Sequence, residues 1–232
     1  MILIDALHIN NSGGKILLDY LIESLEKKDL KVYYLLDNRI QNNHALIRVN
    51  KVKYLKANMT KRFLFYNKES NKFTKILCFG NLPPPVKLRG QVYTYFHQKL
   101  FLNSPNNLPV FFWLKLFLKS KIISILVKNT DFWILQTEVM KRDFLLKFNN
   151  IKKSKVLVIP FYPKLVCKTK DNLIARRVNT FLYVSVYSPH KNYENLLKGF
   201  AKFYDENQIG ELHLTLKNEP IEIISKISNL KK

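Results

Sequence analysis

The 232-residue sequence predicts an α/β protein with a Rossmann-like lobe on a parallel sheet, followed by the opening of a second, incomplete Rossmann-like lobe. Three observations carry that expectation. Short β-rich runs alternate with segments of helical spacing over residues 1–160, a stretch of prolines and charges without periodicity occupies 161–178, and the alternation restarts at 179. The predicted organisation is therefore an N-terminal lobe over 1–160, a linker over 161–178, and the start of a C-terminal lobe over 179–232.

Residues 1–9 are an apolar run too short for a helix. A polar turn follows, Asn10-Asn11-Ser12-Gly13-Gly14, after which Ile16, Leu17, Tyr20, Leu21 and Leu25 recur at helical spacing. Lys27, Lys28 and Asp29 close that helix, and residues 31–36 (KVYYLL) supply a second strand. The lobe thus opens with a βαβ unit whose crossover should be right-handed. Further strands are expected at 52–55, 75–79, 91–96, 132–136 and 155–159. Pro83-Pro84-Pro85 marks a loop, and Thr137 is placed to cap a helix from Glu138 to about Phe148.

In the second lobe, residues 180–186 (TFLYVSV) read as a strand and Ser188 to Asn192 as a turn. Residues 193–204 form an amphipathic helix burying Leu196, Leu197, Phe200 and Phe203. Residues 211–216 give the next strand, and Pro220 opens a final helix. Two strands and two helices cannot cover both faces of a parallel sheet, which is why this lobe is expected to be truncated.

The formal net charge of +22 is unevenly spread, with Glu69 the only acid between Lys61 and Thr130. Nucleic acid, an anionic membrane surface or a phosphorylated substrate would each use such a field. A Lys- and Asn-rich coding bias also produces one. No zinc finger, RRM-like aromatic motif or helix-turn-helix signature accompanies the charge, so no nucleic-acid partner is expected. Cys78 and Cys167 lie far apart without a Cys-x-x-Cys pattern, which argues against a zinc site or a disulfide framework and fits a reducing cytoplasm. The N-terminus has no basic region before its apolar run and carries Asp5 and His8 within it, unlike a signal peptide. Lys115, Lys119, Lys121 and Lys128 interrupt the most apolar region, 108–127, so no span reaches the ~18 residues needed to cross a bilayer. That region reads either as a membrane-interface segment whose lysines reach the headgroups or as a helix pair lining the lobe. The four lysines do not fall on one helical face.

Three places carry candidate chemistry. Gly13 and Gly14 stand where a strand meets a helix N-terminus, so backbone N–H groups can approach a phosphate or sugar closely; a plain tight turn has the same composition. The pattern is neither the dinucleotide fingerprint nor a Walker loop. His97 follows the strand QVYTYF at the carboxyl end, where open α/β sheets hold ligands. It is a candidate to bond a sugar hydroxyl, the alternative being a structural histidine among aromatics. Lys191, in Pro189-His190-Lys191-Asn192, stands between a strand and a helix, where its ammonium would neutralise a diphosphate; the alternative is an exposed loop lysine.

Together, the opening strand with Ser12-Gly13-Gly14, the histidine after YTYF and above all FLYVSVYSPHKNYENLLKGFAKF resemble glycosyltransferase family 4, also called the group 1 family. The likeness spans the whole layout, with Ser-x-x-x-Pro-His-Lys-Asn its specific part. The resemblance implies a GT-B architecture, two Rossmann-like lobes across a cleft, the first for acceptor and the second for nucleotide sugar. It also implies a retaining, metal-independent hexosyltransferase without cofactor. The partners it implies are a nucleotide sugar and a cell-surface polysaccharide or lipid-linked glycan precursor. By that likeness Gly13 and Gly14 lie beside the donor diphosphate and acceptor, His97 touches the donor sugar, and Lys191 binds the diphosphate.

Three positions depart from the family. Val186 and Tyr187 stand where an arginine usually partners the lysine, Phe161 and Tyr162 replace an Asn-Gly turn, and the glutamate-bearing donor segment would lie beyond Lys232. This chain is therefore expected to bind donor poorly by itself. A cytoplasmic protein is expected, with peripheral contact to an anionic membrane allowed. The alternatives are a non-catalytic glycan-binding remnant and a basic nucleic-acid-binding protein.

Overall fold

The computed structural model describes residues 1–43, 47–104, 108–162, 179–185 and 187–216. The chain divides into two compact units, Met1–Ser104 with Phe111–Leu165 and Pro105–Val110 with Val166–Lys232.

The first unit is a seven-stranded, all-parallel sheet. In chain order it comprises β1 (Ile2–Ala6), α1 (Ser12–Glu26), β2 (Val32–Asp37), β3 (Lys51–Leu55), α2 (Met59–Glu69), β4 (Lys75–Cys78), β5 (Gln91–Tyr95), α3 (Val110–Leu126), β6 (Phe132–Leu135), α4 (Glu138–Lys147) and β7 (Val156–Val158). The strand order is β3-β2-β1-β4-β5-β6-β7. Ile4 pairs with Tyr34 on one side and Leu77 on the other, so β1 sits inside the sheet with its neighbours running outward in opposite directions. That reversal places a topological switch point between β1 and β4, where ligands of such sheets bind.

Alternation along β1 sends Ile4 and Ala6 to one face, with Leu18 and Ile22 of α1, and Leu3 and Leu7 to the other, with Phe65 and Tyr66 of α2. Both faces are thus buried, as a parallel sheet requires. A third cluster packs Trp133 of β6 and Phe144 of α4 against Phe96 and Ile123; each such side chain contributes roughly 1.5–3 kcal/mol by burial.

Local sequence sets the helix starts. Asn58 Oδ1 accepts from the Thr60 and Lys61 amides at 2.8 and 3.2 Å, and Thr137 Oγ1 accepts from Met140 at 3.2 Å, the cap predicted for Thr137. At α1 the expected glycine turn is corrected. The helix begins at Ser12, whose left-handed backbone (φ 54°) turns the chain directly into it, so Gly13 and Gly14 lie inside its first turn. Residues 108–127 likewise differ from the helix-pair reading, since α3 is one continuous 17-residue helix. No proline or glycine within it interrupts the ladder. Among the described residues no helix is long and apolar enough to cross a membrane.

The polar centre of the first unit is fully buried. Arg62 of α2 donates from Nε to Asp5 Oδ2 at 2.8 Å, from Nη1 to the Pro83 carbonyl at 2.7 Å and from Nη2 to the Leu82 carbonyl at 2.9 Å. The Tyr66 hydroxyl donates to the same carboxylate oxygen at 2.7 Å, and the Leu7 amide donates to Oδ1. Burial acting alone would lower the Arg62 pKa, but the Asp5 carboxylate holds it above its ordinary value. Burial also pushes the Cys78 thiol up to about 12, so it is a protonated packing group.

In the second unit β8 (Thr180–Tyr183) pairs in parallel with β9 (Glu211–Leu214) around α5 (Tyr193–Asn207). Phe181 meets Phe200 and Phe203 of α5 edge-on, at 5.9 and 5.3 Å between centroids, and the Tyr193 hydroxyl donates to the Ser185 carbonyl at 2.6 Å. The predicted helix opened by Pro220 and most of the predicted linker (163–178) lie outside the described residues.

Removing one member of the buried pair strands the other without a counter-charge. Arg62→Met should cost about 3–5 kcal/mol, read as a lowered urea midpoint. Adding Asp5→Asn to the same chain should restore much of it, because the amide oxygen can still accept from the Leu7 amide while the amide NH2 donates to the Tyr66 hydroxyl. A double variant no more stable than the single one would contradict this account.

Candidate functional site

The C-terminal ends of β1, β4 and β5 each deliver one polar residue to the switch point: His8, Asn81 and His97. Asn81 fixes the geometry. It adopts a left-handed backbone (φ 67°), and its amide donates to the Tyr95 carbonyl at 3.2 Å. Its Oδ1 accepts from the His97 and Gln98 amides at 2.7 and 3.0 Å. One side chain thereby clamps the loops after β4 and β5 together.

The His97 ring lies over an aromatic floor. Its centroid is 5.3 Å from Tyr95, and Tyr95 stacks on Phe79 at 4.8 Å and 11°. Phe161 closes edge-on against both Phe79 and Tyr95, at 6.0 and 6.1 Å. Burial pushes the His97 pKa down to about 4, so the imidazole is neutral at pH 7. Its Nδ1 is buried without a hydrogen-bond partner among the described residues, and its Nε2 lies 3.5 Å from Asn81 Nδ2, at the outer limit of a hydrogen bond. A neutral ring with spare bonding capacity offers one donor and one acceptor, the pair a sugar hydroxyl takes.

Gly14 shares this place. A Cβ added there would sit 3.3 Å from Ile9 Cδ1, a tight approach, and 3.8 Å from His97 Nε2, an ordinary contact, so the start of α1 lies beside the imidazole. Gly13 faces open space, with nothing within 4 Å of an added Cβ. The Lys15 amide makes the first bond of α1, to the Asn11 carbonyl at 3.2 Å. The amides of Ser12, Gly13 and Gly14 therefore precede the helical ladder at the positive end of the dipole. They can receive an anion or a sugar oxygen.

His8 belongs to the same edge, and sequence reading did not single it out. Its Nε2 is buried without a partner among the described residues. Burial, followed by the Arg62 guanidinium, lowers its pKa, while Asp5 opposes them and Lys119 of α3 adds a further cationic push. Asn81 was missed as well. Both residues follow the ends of strands as His97 does, so strand-end position was the signal that could have found them.

Lys191 lies in the second unit, on the turn between β8 and α5. Its amide donates to the Ser188 carbonyl at 2.8 Å, its carbonyl accepts from the Tyr183 hydroxyl at 2.8 Å, and its side chain is exposed. Asn192 takes a left-handed conformation (φ 54°) and opens α5. The loop is thus shaped as strand, turn and helix N-terminus, as predicted. Burial and the neighbouring Lys191 cation lower the His190 pKa. Among the described residues no group of three or more His, Cys, Asp or Glu side chains is placed to hold a metal ion. The structure therefore groups His97 with Gly14, leaves Gly13 at the open mouth of the same helix, and holds Lys191 in a separate unit.

No protein-family model matches the sequence, and no curated protein matches it. Solved structures do match. The lipopolysaccharide outer core galactosyltransferase WaaB in its apo form aligns with a TM-score of 0.57 at 10% identity, over 99% of this chain and 64% of that one. S. aureus TarM in complex with Fondaparinux, alpha-GlcNAc-glycerol and UDP aligns at 0.51 and 16% identity, over 77% of this chain and 36% of that one. A UDP-GlcNAc 2-epimerase from Neisseria meningitidis bound to UDP-GlcNAc aligns at 0.51 and 13% identity, over 99% and 69%. The chain thus shares the GT-B fold of these proteins. It spans less than two thirds of the length of the first two.

The depressed His97 pKa sets a pH dependence of stability. Between about 4 and 6.5 the unfolded chain binds a proton at His97 that the folded chain does not. The stabilisation is therefore complete above the unfolded pKa and is lost as pH falls through this window. His97→Gln should flatten that part of the curve by up to about 3 kcal/mol, leaving the share of His8, which has the same sign. Urea midpoints between pH 4 and 7 check this; parallel curves for variant and parent would refute it.

Proposed function

We propose that this chain supplies the acceptor-side lobe and the opening of the donor lobe of a nucleotide-sugar glycosyltransferase of family 4, retaining and metal-independent. The acceptor in this reading is a cell-surface polysaccharide or lipid-linked glycan precursor. The observation that carries it is the switch-point cluster, in which a neutral His97, clamped through Asn81, stands beside Gly14 and the open amides of α1. The shared fold and the segment running from Phe181 through Lys191 into α5 support the same reading.

In the transfer, the bond between the anomeric carbon and the donor diphosphate breaks, and the acceptor oxygen forms a new bond to that carbon. The diphosphate departs with the bonding pair, and the acceptor's hydroxyl proton passes to an oxygen of that leaving group. His97 holds a sugar hydroxyl as a neutral partner, so it orients without adding charge at the anomeric centre. Lys191 and the N-terminus of α5 offset the charge gathering on the leaving diphosphate. The helix start at Gly13 and Gly14 receives an oxygen of the donor or acceptor.

The reading is tested on the natural full-length polypeptide with a panel of nucleotide sugars, following both nucleoside diphosphate release and the sugar product. Lys191→Ala should lower kcat by roughly 100-fold or more with an unchanged unfolding midpoint, because its side chain is exposed. His97→Ala should lower kcat/KM by roughly ten- to a hundredfold. Equal turnover in Lys191→Ala and parent removes Lys191 from the mechanism. An epimerised nucleotide sugar with no transfer to any acceptor replaces the transferase reading with an epimerase one.

A further inference from the structure

Helix α3 exposes an unusual amount of apolar surface, with Phe111 at 88%, Leu118 at 53% and Ile125 at 69% exposure. Its inward stripe is Leu116, Ser120 and Ile123, all buried. At about 100° per residue, Phe111, Leu114, Leu118, Ile122 and Ile125 form a second apolar stripe about 80° wide on the opposite side of the helix. Lys115 and Lys119 border that stripe on one side and Lys121 on the other, with Lys128 just past the helix end. The lysines fail to form one face because they frame an outward apolar stripe on both sides.

We propose that α3 docks the first unit onto an anionic lipid surface, its outward stripe entering the interface and its bordering lysines meeting lipid phosphates. A helix packed on a core needs one apolar face, and α3 has two, so core packing does not account for the outer one. Framing lysines suit a lipid surface because long stems lie along apolar matter while the ammonium heads stay at the headgroups. Charge complementarity selects anionic lipid, since Glu69 is the only acid from Lys61 to Thr130.

Two further features fit the same occupant. Trp113 stacks on Phe117 at 5.2 Å, and Lys121 Nζ lies 5.3 Å from the Phe117 ring centroid, an aromatic and cationic pairing suited to headgroup depth. These residues line a cavity of about 530 Å³ with Ser120 and Lys147. Burial, and then the neighbouring Lys121, lower the Lys147 pKa, a repulsion that a lipid phosphate would relieve. None of this depends on the transferase reading.

The test uses the full chain with vesicles of phosphatidylcholine alone and of phosphatidylcholine mixed with phosphatidylglycerol, read by co-sedimentation and tryptophan emission. The sequence has two tryptophans, and Trp133 is buried at 1% exposure, so a blue shift on binding reports Trp113. Binding to the anionic vesicles should be at least about tenfold tighter and should weaken with salt. Leu118→Asp with Ile125→Asp should abolish it with the unfolding midpoint kept, and Lys115→Glu with Lys121→Glu should remove the preference for anionic lipid. Equal binding to both vesicle types, binding that survives Leu118→Asp with Ile125→Asp, or no binding at all overturns the proposal. Self-association without lipid binding, dissolved by the same aspartates, also overturns it and assigns the stripe to a second copy of the chain.

Discussion

The first unit turns on the ion pair between Asp5 and Arg62. A parallel sheet buried on both faces has no place for an uncompensated charge, and β1 lies inside it, paired to β2 and β4. Asp5 nonetheless lies there, and the guanidinium meeting it also caps the Leu82 and Pro83 carbonyls. One arginine therefore ties α2, β1 and the proline loop after β4 into a single polar knot. An apolar core of the same volume would often be no less stable. The knot instead sets where the loop after β4 leaves the sheet, and that loop carries Asn81.

From that knot the candidate site follows by short steps. The loop after β4 begins with Gly80 and Asn81, and Gly80 packs beside His8, where an added Cβ would be in ordinary contact with the His8 Cβ at 3.7 Å. Asn81 then pins the chain leaving β5 and with it His97. The Asn81 side chain bonds the backbone at His97 and Gln98, and among the described residues His8 Nε2 and His97 Nδ1 stay without partners. Buried polar atoms seldom remain so in a finished core. They are natural contact points for an incoming hydroxyl.

Sequence reading located the strands well because β-rich runs bounded by polar turns are a local signal. The Thr137 cap and the turn at Lys191 were legible for the same reason, since capping and strand-turn-helix patterns involve only adjacent residues. The strand order was not legible, because pairing of β1 with β4 joins residues some seventy positions apart. Asn81 escaped for that reason, its value lying in bonds to amides sixteen and seventeen residues on. Arg62 read as one cation among many. Of the two readings of 108–127 only the helix pair gives way, to a single helix, because apolar residues on both sides of a helix blur the period on which such readings depend.

Cys78 sits on β4 in the middle of this sheet with none of its surface exposed, its thiol kept protonated by burial and held within reach of the Tyr66 hydroxyl. Peroxides and electrophiles attack thiolates, and this sulfur presents neither the ionised form nor a path of approach. Oxidative damage at that position would therefore have to follow the opening of the sheet and could not begin it.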